Sequence, residues 1–211
     1  MEYQQARIAA LEEQEKAITP DPIAWPAKKE ADTTALVQTE IFFRPLNGIS
    51  TTPDRQPLAG KVPLNRYKAT SSGFAFSDVL VGAIKSVAAD QFKKDVLKQL
   101  KITANILQPK ELGQQLGQPI TFDYYHDERG NNPYLYFHDG HGYQVVVVYR
   151  PAPKATTSQL KQMEPILEYS LATLTLGPAA NRKVATWKST QNKPPPKVTP
   201  TPTSGAQTPS F

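Results

Sequence analysis

Residues 119–150 read PITFDYYHDERGNNPYLYFHDGHGYQVVVVYR, and this stretch decides the fold. Three runs in it, ITFDYYH, PYLYFH and YQVVVVYR, are dense in aromatic and β-branched residues, which fit a pleated and half-buried surface. The breaks between them, DERGNN and the Asp139-Gly140 dipeptide, are turn chemistry. Asp-Gly suits a two-residue hairpin, because glycine accepts the positive φ that such turns need. Three antiparallel strands in a meander follow.

Working outward, the residues after Pro151 and Pro153 show apolar positions at helical spacing. Leu160, Met163, Ile166/Leu167, Ser170/Leu171 and Leu174 form one stripe from Ser158 onward, with Pro165 either kinking the helix or marking its first turn. Before the meander, residues 77–100 also read as a helix, with Leu80, Ile84, Val87, Val96, Leu97 and Leu100 near one stripe and Ser77 or Asp78 as its cap. Pro109 then suits the first position of a short helical turn. The prediction is an α+β domain: an antiparallel meander sheet of three or more strands packed by two helices on one face, with extended proline-rich arms at both ends.

The composition sets the boundaries. Seven of the twenty prolines fall between Pro20 and Pro63 and six between Pro194 and Pro209, so the flanks are poor ground for regular structure. This divides the chain into an arm over 1–63, a domain over 64–176 and a tail over 177–211. In the arm, residues 3–18 favour a docking helix with Ile8, Leu11 and Ile18 as a thin seam, and residues 35–43, ALVQTEIFF, alternate as a strand should. The tail holds Arg182, Lys183, Lys188, Lys193 and Lys197 and no acid, leaving nineteen basic and nineteen acidic residues before it. The net charge of +5 therefore belongs to the tail, and the domain has no electrostatic footprint for nucleic acid. Pro194–Pro196 and the repeated Thr-Pro that follow favour polyproline II, which is inexpensive to order in a groove; a flexible spacer has the same composition.

Three groups of residues invite a chemical reading. His126, His138 and His141 lie close together beside Asp123, Asp127, Glu128 and Asp139, as in a metal site. An Asp139-Gly140 turn sets His138 opposite His141, with side chains roughly 5 Å apart. The preceding turn, however, places His126 near Leu135, about 10 Å from His138. Only the His138/His141 pair survives, with Asp123 across from His138, so no metal and no cofactor are predicted. The same register groups Tyr125, Tyr136 and Tyr143 on one sheet face, either packed or presented to a partner, and sends Phe122, Tyr124, Leu135, Phe137, Val146 and Val148 to the other. Lastly, Trp25 and Trp187 are large apolar groups in proline-rich or tail surroundings, each either tucked onto the domain or anchoring a partner.

There is no Gly-x-Ser-x-Gly elbow, no His-Glu-x-x-His and no phosphate-binding glycine loop. The absence of cysteine excludes disulfides and thiol chemistry. No stretch reaches the apolar length of a membrane span, and residues 1–16 lack the apolar run of a secretory signal. Zero cysteine and a Thr/Pro tail lean toward an extracytoplasmic, cell-envelope home over a cytoplasmic one. The expectation is a non-enzymatic structural or interaction subunit of a multiprotein assembly, docking through its arms and tyrosine face. Interaction residues would be Ile8, Leu11, Trp25, Tyr125, Tyr136, Tyr143 and Trp187. The alternatives are a nucleic-acid-associated protein tethered by the basic tail and a small metal or ligand site at the His138/His141 hairpin.

Overall fold

The computed structural model describes residues 2–25, 40–103, 106–114, 117, 119–127, 129 and 132–191. In chain order the elements are α1 (Glu2–Ala17), β1 (Ile23–Trp25), β2 (Ile41–Phe43), β3 (Asn65–Lys68), β4 (Phe76–Lys85), α2 (Ala89–Gln99), β5 (Gln108–Leu112), β6 (Ile120–Tyr125), β7 (Tyr134–Gly140), β8 (Tyr143–Pro151), α3 (Thr157–Leu171), β9 (Thr175–Leu176) and α4 (Pro178–Gln191). An antiparallel six-stranded sheet runs β3-β4-β8-β7-β6-β5, and a small antiparallel sheet runs β1-β2-β9. The α+β class and the antiparallel meander are as predicted.

Both faces of the large sheet are covered, which corrects the expectation of helices on one face. On one side Val79, Val81, Tyr134, Tyr136, Val147 and Tyr149 pack with Leu160 and Leu167 of α3 and with Ile23, Ile41 and Phe43 of the small sheet. On the other, Leu80, Leu135, Phe137, Val146 and Val148 meet Phe92 and Val96 of α2 and Val62 and Leu64 of the chain entering β3. A strand between two cores needs apolar residues at every position, which is why β8 reads as an unbroken VVVV.

The same double burial explains the largest error. Residues 76–85 form β4, the partner of β8, and only 89–99 are helical. An unbroken apolar run has no period of its own, so Leu80 and Ile84 fell on the helical stripe that α2 continues. Asp78 caps no helix. It is 5% exposed and pairs across the strands with Arg150. Pro109 likewise lies in β5, an edge strand, the place in a sheet where a proline is tolerated. The helix expected from Ser158 is α3, with a capping box between Thr156 and Gln159 and with Pro165 inside it, but it ends at Leu171, so Leu174 of the expected stripe lies beyond it.

The flanks are part of the body. Ile18, Ile23, Ile41, Phe43, Leu46 and Ile49 are buried in the main core, so the stretches 18–23 and 41–49 are not a detached arm. Of the expected strand over 35–43, residues 41–43 form β2, and 35–39 lie outside the described residues. The tail is corrected too: 178–191 is α4, begun by Pro178 after Gly177 at φ +68 and docked through Ala180 and Val184 on Phe42. Boundaries at 63 and 177 thus cut through cores. The polyproline prediction for 194–209 lies outside the described residues.

Candidate functional site

The N-terminal helix is divided between the body and solvent. Every described side chain from Tyr3 to Ala10 is exposed, with Tyr3 at 80% and Ile8 at 55%. From Leu11 the helix is held. Leu11 packs on the main core, Ile18 is buried, and α1 lies against α3. The expected seam of Ile8, Leu11 and Ile18 is therefore two thirds spent on the protein's own core.

Glu15 is the polar clamp of this junction. Its Oε1 accepts from Arg44 Nη1 at 2.7 Å and its Oε2 accepts from the Tyr169 hydroxyl at 2.7 Å. Partial burial pushes the Glu15 carboxyl up, but the Tyr169 hydroxyl and the Arg44 guanidinium together outweigh it and hold the carboxyl below its ordinary value. The Tyr169 hydroxyl is pushed up to about 12, by burial first and then by Glu15. Arg44 is fixed in turn: Nε donates to the Thr19 carbonyl at 2.9 Å, its amide to Thr173 Oγ1 at 2.9 Å, and its carbonyl accepts from Ser170 Oγ at 2.5 Å. Nothing in the sequence reading found this cluster, since Glu15, Arg44 and Tyr169 are distant in the chain.

The tyrosines separate. Tyr136 and Tyr143 are buried in the main core, whereas Tyr125 is half-buried on the opposite face beside the second core. The cause is a one-residue difference in register. Tyr125, not His126, pairs with Leu135, and a slip of one exchanges the faces of a whole strand. Phe122 and Tyr124 thereby join Tyr136, with the Tyr124 and Tyr136 rings 4.8 Å apart. The packed reading of Tyr136 and Tyr143 is the one realised, and no surface combining the three residues forms.

Trp187 is half-buried on α4, packs with Phe42, Ala180 and Val184, and donates from Nε1 to Asp21 Oδ1 at 3.3 Å. Trp25 ends β1, paired through its backbone with Ile41. Of the basic residues assigned to the tail, Arg182, Lys183 and Lys188 are on α4.

The histidine hairpin turns two residues later than expected. Gly140 pairs with Tyr143, and the loop is His141-Gly142 with φ of 53° and 76°, the double positive φ of a type I′ turn. His138 consequently faces Val145 rather than His141, and Asp123 faces Phe137 while pairing its carboxylate with Lys93. His126 stacks on Tyr134 with ring centroids 3.6 Å apart. The ring of His138 is aimed by a 2.9 Å hydrogen bond, Nδ1 to the Thr121 carbonyl, so that Nδ1 carries the hydrogen and Nε2 the lone pair. Burial pushes its pKa down. His138, Asp139 and His141 share a groove of about 400 Å³ with Thr121, Thr175 and Leu176. Among the described residues no group of three or more His, Cys, Asp or Glu is placed to hold a metal ion.

Ser158 and Lys161 stand at Ser-x-x-Lys spacing in the first turns of α3, but both are exposed and so lack the enclosed setting that activates a nucleophile. Among the described residues no helix is long and apolar enough to cross a membrane. No protein-family model matches the chain, and the comparisons with curated proteins and with solved structures returned no significant match.

Proposed function

We propose that this chain is a non-enzymatic structural or interaction subunit that docks into a larger protein assembly, with the free half of α1 as its principal contact. One observation carries the reading: residues 3–10 continue a helix that has no tertiary cover among the described residues, displaying Tyr3 and Ile8, while Glu15, Leu11 and Ile18 fasten its base. An isolated helical stretch of this length is marginal in water, because most helical stability in proteins comes from packing of one face. A partner groove supplies that packing, and a base clamped to the body orients the helix in advance and lowers the ordering cost of binding.

The test is a native pull-down from the source organism with the full chain and with a variant lacking residues 2–10, read by mass spectrometry. Thermal melts show whether the variant keeps the body intact. Cutting at 63 would be uninformative, because it removes Ile18, Ile41, Phe43 and Leu46 from the core. Stoichiometric protein partners held by the full chain and lost from the shortened one are expected. Recovery of nucleic acid alone, or of the same proteins with both forms, defeats the reading.

A further inference from the structure

Where α1, β2, α3 and α4 meet there is a hollow of about 400 Å³, lined by Glu15, Phe42, Arg44, Tyr169, Thr173 and Lys183 together with Ala172. Its charges do not balance. Glu15 is the one carboxylate of this lining, and both its oxygens are already engaged, Oε1 by Arg44 and Oε2 by Tyr169. Opposite it, Lys183 donates from Nζ to Thr175 Oγ1 at 2.8 Å and lies 5.4 Å from the centre of the Phe42 ring. Among the described residues Lys183 has no carboxylate within ion-pair distance, and no hydrogen bond uses Nη2 of Arg44. Lys183 is an exposed residue, yet loss of water around the ammonium, and after it the charge of Arg44, push its pKa down. Two cations thus face one hollow with donors to spare, and Arg44 is held there by its backbone and by Nε.

We propose that this hollow binds a small organic anion, its carboxylate or phosphate held between Arg44 and Lys183 and its carbon body lying on Phe42 and Ala172. The Nη2 group of Arg44, left over once Nε and Nη1 are engaged, can donate to either headgroup, and the Lys183 ammonium adds a point charge that can follow it. A bare ion leaves most of the space unfilled, since a water molecule takes only about 30 Å³ of liquid. The site is independent of the docking helix: α1 contributes only its base, so the loss of either idea leaves the other standing.

The experiment uses the full chain and three probes, phenyl phosphate, benzoate and inorganic phosphate, titrated at constant ionic strength with chloride as the balancing ion. Binding is read by calorimetry and by amide chemical shifts. Saturable binding of phenyl phosphate or benzoate below about 10 mM is expected, tighter than inorganic phosphate, with the amides of Thr173 and Lys183 among those that move. Whichever of the two organic probes binds better names the headgroup. Lys183→Gln should weaken it about tenfold or more, the usual weight of one charge-assisted hydrogen bond, while Lys183→Arg should stay within about threefold. Lys183 is on the outer part of α4, so both variants should melt like the parent, and the melts confirm it. Absence of saturable binding, or equal binding by Lys183→Gln, overturns the proposal.

Discussion

Replacing Asp78 with alanine should destabilise the protein by about 3 kcal/mol. The side chain is 7% exposed and sits at the β4–β8 pairing next to an irregularity in the register, between Phe76 and Asp78. It takes both arms of the Arg150 fork: Nε reaches Oδ1 at 2.6 Å and Nη2 reaches Oδ2. Arg66 stands 3.8 Å from the same Oδ2 and is tied at 2.9 Å to Asp54. Alanine strands Arg150 against the sheet, and breaking a fully buried pair in this way costs about 3–5 kcal/mol. Arg150 keeps 34% of its side chain in water and can partly resolvate, which places the expectation at the lower end of that range. In a chain of this length such a loss lowers Tm by about 6–12 °C. Urea melts measure it directly. Asp78→Asn, retaining one acceptor, should lose about half as much. The double variant Asp78→Leu/Arg150→Met should fall well short of the two single losses combined, because each single change leaves a charge without its partner. A loss below about 0.5 kcal/mol for Asp78→Ala, or one erased by about 0.5 M salt, would show a surface ion pair and refute the reasoning.

Three further outcomes follow from particular contacts. The Tyr136 hydroxyl is buried with no hydrogen-bond partner among the described residues, and burial pushes its pKa well up; Tyr136→Phe should therefore stabilise by about 1 kcal/mol in chemical melts, and a loss of that size would place a partner there. Burial holds His138 below its ordinary value of 6.5, so the unfolded chain takes up the proton first. Stability should be full above about pH 6.5, decline as pH falls toward the lower folded value and then level off, and His138→Asn should flatten that slope in melts at about pH 7, 6 and 5. A Cβ on Gly82 would stand 2.5 Å from Leu64 Cδ2, 3.1 Å from the Pro63 carbonyl and 3.2 Å from Val62 Cγ1; Gly82→Ala should cost about 2 kcal/mol by urea melts, and neutrality would show that the 62–64 crossing yields.

These contacts also show what a reader of the sequence can and cannot see. The meander was legible because its signals are local: aromatic and β-branched runs interrupted by turn residues. Even so, DGHG offered two adjacent places to turn, Asp139-Gly140 and His141-Gly142, and only pairing with β8 chose between them. On the other side of β7, a single residue of register moved Tyr125 away from Tyr136. β4 was illegible as a strand because two cores cover it. α4 was hidden by the proline-rich composition that follows it, although Pro178 after Gly177 is an ordinary helix start. The Glu15, Arg44, Tyr169 and Lys183 cluster lay beyond any periodic signal, because tertiary packing alone brings the four together.

Under the assembly reading, the points where the chain leaves the described body bear on how strongly it can hold a partner. Trp187 and Gln191, in the last turns of α4, both reach Asp21, each at 3.3 Å, and Asp21 lies between the base of α1 and β1. Residues 26–39, which hold a single proline, follow the end of β1, and the proline-rich residues 192–211 follow the end of α4. The nine residues of α1 before Leu11 extend about 14 Å along its axis. One partner could then engage the helix and either segment together, and each further contact would form at the high effective concentration of a tethered site. Removing residues 192–211 alone should in that case weaken partner recovery in the pull-down by speeding dissociation without abolishing it, whereas removing residues 2–10 should abolish it. If the loss of 192–211 abolishes recovery and the loss of 2–10 does nothing, the tail is the docking element and the free half of α1 has been misread.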